Sequence, residues 1–194
     1  MILRLVAGQE RMQQLERLQE VFSQACNILA GIVAQTRCWN RVALHHLAYH
    51  RLREQFPALG SQMICNAIYS VSRTARYVYQ SPHSPWCIEK RPGAALPVLR
   101  FAATAPVYFD RHTLSVRGGG LSMYSLDGRL HFQGVLKPEA GKRFREEKLK
   151  EVILSRDGEG FFLVFCFGAG SEVSTGASEM PQYVIILEPI QSAA

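Results

Sequence analysis

At 194 residues the chain is long enough to bury a sizeable core, as one domain or as two small ones. Apolar residues make up 47% and charged residues 20%, which excludes a disordered chain. The formal net charge is +6, and its excess lies in the first half: residues 1–97 carry 11 Lys and Arg against 5 Asp and Glu, residues 98–194 carry 11 against 11. Charge placed this way predicts attraction to phosphate and salt-dependent binding, and it suits a polyanion better than a small metabolite.

Residues 2–7 (ILRLVA) read as a short strand ended by Gly8. From residue 11 to about 35, Met12, Leu15, Leu18, Val21, Phe22, Ala25, Ile28, Leu29, Ile32 and Val33 form one continuous helical stripe, with Asn27 beside it. Trp39 and Asn40 mark a break. A second helix runs from about residue 42 to 56 and stops at Pro57. Ser61 reads as the N-cap of a third, reaching about residue 79.

Residues 81–97 hold four prolines and a glycine and read as a linker. The texture then changes to short β-forming runs: 98–103, 107–109, 113–116, 121–125, 129–134, 149–155, 160–167 and 183–187. Gly118-Gly119-Gly120, Asp127-Gly128 and Asp157-Gly158 separate several of them as hairpin turns. Residues 142–148 read as a charged helical turn across one end of the sheet, and 168–181 as a polar loop. The expected fold is α+β: a small antiparallel, OB-like β-barrel that recruits the distant first strand, with three helices inserted after it. The parts are residues 1–10 (first strand), 11–80 (helical lobe), 81–97 (linker) and 98–190 (barrel).

Chemistry-bearing motifs are sparse. The cysteines are Cys26, Cys38, Cys65, Cys87 and Cys166; no two have zinc-ligand spacing, and reduced thiols of a cytoplasmic protein are expected. Cys26 and Cys65 read as small core residues. No signal peptide and no run of the ~18–20 apolar residues that span a bilayer is expected. His46 and His50 lie four apart on one helical face, but the acid of HExxH is missing and no third ligand is evident, so no metal or other cofactor is expected. Asp110, Asp127 and Asp157 are the carboxylates a metal-dependent nuclease would use, yet each has a turn explanation. The polar helix faces carry more. Arg can read guanine or phosphate, Asn and Gln can pair with adenine, and Tyr69, Tyr77 and Tyr79 could stack on bases.

The ordered stretches Ala25-Cys26-Asn27, Asn40-Arg41-Val42-Ala43-Leu44-His45-His46-Leu47 with Tyr49, Leu52-Arg53-Glu54 and Phe56, Ser61-Gln62-Met63 with Asn66-Ala67-Ile68 and Val71, Tyr108-Phe109-Asp110-Arg111 with Thr113-Leu114-Ser115, Ser125-Leu126-Asp127-Gly128-Arg129 and Gly160-Phe161-Phe162-Leu163 resemble the N-terminal half of TnpB. TnpB is the RNA-guided nuclease of IS200/IS605-type transposons, related to compact type V CRISPR effectors. The resemblance covers roughly residues 1–168. It implies a wedge barrel with a helical recognition insertion that holds guide RNA and reads a short duplex motif beside the target DNA. Tyr49, Arg53, Gln62 and Asn66 would then face the duplex, and Arg73 and Arg76 the heteroduplex or guide backbone. Arg41 and Arg111, inside the quoted stretches, complete the candidate nucleic-acid-binding set.

The family's RuvC-like domain, with three acidic metal ligands and a Cys-rich zinc ribbon, has no counterpart in this sequence. The chain is therefore expected not to be an enzyme; cleavage would need a separately encoded nuclease. The competing readings are an assembly subunit of a larger CRISPR-like ribonucleoprotein and an inactive transposon remnant. A prokaryotic cytoplasmic location, on the nucleoid when DNA is bound, goes with the first reading.

Overall fold

A computed structural model describes residues 1–133, 138–168 and 181–187. The elements are, in chain order, β1 (Ile2–Arg4), α1 (Gln9–Thr36), α2 (Arg41–Gln55), α3 (Ser61–Gln80), β2 (Val98–Phe101), β3 (Val107–Phe109), β4 (Leu114–Arg117), β5 (Gly120–Ser125), β6 (Gly128–Phe132), α4 (Pro138–Glu146), β7 (Leu149–Asp157), β8 (Gly160–Phe167) and β9 (Val184–Leu187). The α+β reading holds, and the three long helices fall between β1 and β2.

Helix ends follow local chemistry. α1 stops where Arg37 takes a left-handed conformation, φ 54°, and its N–H donates to the Val33 carbonyl. The break at Asn40 is a cap: Asn40 Oδ1 accepts from the N–H groups of Val42 and Ala43. Ser61, expected as a cap, is instead the first residue of α3, and Gly60 holds the cap position with no side-chain bond. Tyr124 decides this. Its hydroxyl accepts from the Gly60 N–H at 2.8 Å, and a Cβ at Gly60 would meet the Tyr124 ring at 3.2 Å.

β1 pairs antiparallel with β8, as expected of a recruited first strand, and the sheet continues through β7 to β3. β4, β5 and β6 form a meander, and β2 pairs with β9. Gly118 and Gly119, both at positive φ, make the two-residue β4–β5 turn. The OB-like barrel is another matter. Among the described residues the ladders form three separate antiparallel sheets of four, two and three strands and do not close. The charged turn expected at 142–148 begins earlier, as α4, and Phe144 packs edge-on against Phe165 and Phe167 of β8. Most of the polar loop expected at 168–181 lies outside the described residues.

Helices and sheets share one hydrophobic cluster. It includes Leu18, Phe22, Leu29 and Val33 of α1, Leu44 and Leu52 of α2, Ile64 and Val71 of α3, and Phe101, Phe109, Leu154 and Phe165 of the strands. The proline-rich segment between α3 and β2 belongs to it too. Cys87 and Leu96 are buried, the Tyr79 hydroxyl donates to the Pro97 carbonyl at 2.5 Å, and the Ile88 N–H donates to the Tyr79 carbonyl. Apolar side chains between the prolines make the expected linker a packed strap.

α1 is tied to the β-rich half by two amides. Asn27 Nδ2 donates to the Phe101 carbonyl at 3.0 Å, while its Oδ1 accepts from the Phe101 N–H at 2.7 Å. Gln19, 2% exposed, donates to the carbonyls of Thr104 and Ala105. Asn27→Ala leaves both backbone groups of Phe101 without these partners. Its expected effect is a loss of about 1–3 kcal/mol, read from the midpoint of urea unfolding with the slope unchanged.

Candidate nucleic-acid interface

α3 buries Met63, Ile64, Ala67, Ile68, Val71, Ala75 and Val78. The opposite positions are Gln62, Cys65, Tyr69, Arg73, Arg76 and Gln80, spaced by three and four and hence on one stripe. Four of these are half-buried, and Arg76 and Gln80 are exposed. The β-rich half meets this stripe through carboxylates. Gln62 Nε2 donates to Asp110 Oδ2 at 2.6 Å, and Asp110 Oδ1 accepts from the N–H groups of His112 and Thr113 and from the Thr113 hydroxyl. Asp110 is thus the anchor of its own turn.

Further along, Glu151 of β7 is 9% exposed and sits at an irregularity in the β7–β8 register. Arg73 Nη1 reaches its two oxygens at 2.8 and 3.0 Å, and the Tyr69 hydroxyl donates to Oε2 at 2.9 Å. Tyr108 meets Tyr69 edge-on at 5.5 Å, with the Arg73 guanidinium 5.8 Å from its ring. Burial raises the Tyr69 hydroxyl pKa, and Glu151 adds to the rise. Burial likewise raises Tyr108, with Tyr183 beside it.

On the other side of the stripe stands α2. Leu44, Ala48 and Leu52 face the core, while His46, His50 and Arg51 are exposed. The Arg41 guanidinium lies 5.2 Å from the Tyr69 ring, and His45 stacks on Tyr49 at 4.6 Å and 19° between planes. Between α2 and α3 opens a cleft of about 390 Å³ lined by Arg41, Val42, His45, Cys65 and Ile68. Burial raises the Cys65 thiol pKa; Arg41 acts against the rise and Asp110 with it. Cys65, expected in the core, is therefore a half-buried cleft residue.

Of the eight candidates, the fold gathers Arg41, Gln62, Arg73 and Arg76 about the α3 stripe, with Tyr49 beside the cleft on α2 and Arg111 exposed in the turn after β3. Arg53 donates instead to the Leu59 carbonyl, closing the α2–α3 turn. Asn66 is buried, 3.5 Å from the Thr113 hydroxyl. Among the tyrosines offered for base stacking, Tyr79 is fully buried, Tyr69 is bonded to Glu151 and Tyr77 is half-buried. Sequence reasoning missed Glu151, an acid in a charged run, and Val42 and His45, which line the cleft. The nominated carboxylates sit on three separate turns: Asp110 as above, Asp127 beside Arg17, and Asp157 beside Arg4. Among the described residues no group of three His, Cys, Asp or Glu is placed to hold a metal ion, and no helix is long and apolar enough to cross a membrane.

No protein-family model matches the chain, and no curated protein matches it.

Two outcomes test this geometry. Glu151→Gln keeps the shape but removes the charge facing Arg73, and stability is expected to fall by about 2 kcal/mol in urea unfolding. Tyr69, Tyr79 and Tyr108 all hold their protons more tightly folded than unfolded. Their contribution is therefore intact below the free-tyrosine pKa of about 10 and declines as pH rises through it. In an absorbance titration these three of the seven tyrosines are expected to ionise late, together with alkaline unfolding.

Proposed function

We propose that the α2–α3 face binds nucleic acid, and that the chain is a recognition module without its own nuclease chemistry, of the kind that forms the N-terminal half of TnpB. The β-rich half is its wedge-type, OB-like scaffold. Guide RNA and the duplex beside the target are the partners, and a separately encoded nuclease would supply any cleavage. The module works in the prokaryotic cytoplasm. One observation carries this reading: residues 41–80 contain five arginines and a single carboxylate, Glu54, and three of those arginines lie about the stripe and cleft. Among the described residues, Asp110 and Glu151 reach that face from the β-rich half, Asp110 committed to its turn and Gln62, Glu151 to Arg73 and Tyr69.

A second reading, an assembly subunit of a ribonucleoprotein, is favoured by Val98, Ile185 and Leu187, which are exposed on one face of the β2–β9 ribbon. Purification from the host with a protein partner and no RNA would put it ahead.

Fluorescence anisotropy with a structured RNA and with a DNA duplex tests the first reading. With about three phosphates contacted, affinity falls roughly 40-fold between about 50 and 200 mM salt. The double variant Arg41→Glu, Arg76→Glu is expected to weaken binding at least about tenfold and to flatten that slope. Absent binding, or binding indifferent to salt, discards the reading.

A further inference from the structure

The cleft between α2 and α3 differs in kind from the charged stripe beside it. Val42, 66% exposed, and Ile68, buried, give it apolar walls. Among the described residues its lining contains no carboxylate. A cation, Arg41, stands at its edge, held near the Tyr69 ring. His45 lines it with one ring face already stacked on Tyr49. Among the described residues the cleft is lined from α2 and α3 alone, and neither α1 nor the strands line it beside the exposed Val42.

These groups select a ligand by chemistry. The apolar walls ask for a flat, weakly polar body, the His45–Tyr49 pair offers a stack that a further ring can extend, and Arg41 asks for an anion next to that ring. A single nucleotide has both parts. A base inside a helix does not, because both of its faces are covered. The volume of about 390 Å³ is at the lower end for small-ligand sites, enough for one nucleotide and too little for a segment of duplex. We infer that this cleft takes one unstacked nucleotide of the bound nucleic acid, its base on Val42 and against His45, above the buried Ile68, and its phosphate on Arg41. The inference rests on the nucleic-acid reading above, and adds to it a place where one base leaves the helix.

The test uses the full chain and hairpins of arbitrary sequence, made in RNA and in DNA, in three forms: fully paired, with one bulged 2-aminopurine, and with an abasic bulge. Stacking of one base on an aromatic side chain predicts that the 2-aminopurine bulge binds about tenfold tighter than the paired or abasic form. Its fluorescence is expected to fall on binding. His45→Ala and Val42→Ser, at a half-buried and an exposed position, should bring the bulged hairpin back to the level of the paired one and restore the fluorescence. Preference in the RNA or the DNA series supports the inference and names the source of the nucleotide. Equal binding of all three forms with unchanged fluorescence overturns the inference and leaves the nucleic-acid reading standing. Binding of none overturns both.

Discussion

An α-helix satisfies its own backbone, but a strand edge does not, and the edge strands of the β-rich half must find partners somewhere. Here α1 supplies them from side chains. Asn27 presents to Phe101 of β2 the same donor and acceptor that a neighbouring strand would present. Gln19, two turns earlier, donates to the two carbonyls that follow β2. A buried amide left without partners is expensive, so these bonds fix α1 in rotation as well as position. The surface pairs Arg17–Asp127 and Arg156–Glu16 join the same parts but are exposed, and contribute little by comparison. Because α2 and α3 pack on α1 and on each other, the site inherits its orientation from those two amides.

The seam between α3 and the sheet shows what that orientation achieves. Arg73 and Glu151 both reach solvent, with 27% and 11% of their side chains exposed, yet each satisfies the other. Taken together they are nearly neutral, so Arg73 adds little net charge to this face. Gln62 is occupied in a similar way by Asp110. Their role at the seam is to hold the floor of the face rigid. A bound phosphate that drew Arg73 away would leave Glu151 buried with the Tyr69 hydroxyl as its partner, and such a loss offsets much of what the phosphate contributes.

Periodicity made the helices readable, because Leu15, Leu18, Phe22, Leu29 and Val33 repeat at the interval a buried face requires. Turn chemistry made the strands readable in the same local way, through Gly118-Gly119 and Asp127-Gly128. What sequence did not reveal depends on residues far apart in the chain. Tyr124, 64 positions away, fixes the cap of α3 at Gly60 in place of Ser61. Asn27 looked like the polar margin of a stripe until Phe101 lay beside it. Tyr79 reads as a surface aromatic until Pro97 accepts its hydroxyl. Barrel closure was equally out of reach: alternation says which strand face is inward, not which edges meet. At the site, the arginines were legible from composition, whereas Glu151, the residue that neutralises one of them, was not.

The placement of Arg41 runs against the ordinary economy of a helix. The N-terminal turn of a helix carries the positive end of its dipole and favours acids by about 0.3–1 kcal/mol each. Neither α2 nor α3 has an acidic residue in its first turn, and α2 opens on an arginine. Asn40 compensates by capping two of the free N–H groups, and the Tyr69 ring gives the guanidinium a face to rest on. A helix start stabilised this way keeps its dipole unneutralised and adds a full charge to it. The dipole alone would favour Asp or Glu at that position, so within the fold it is the contact with the Tyr69 ring that recommends an arginine there. The arrangement leaves a positive potential at the mouth of the cleft between α2 and α3.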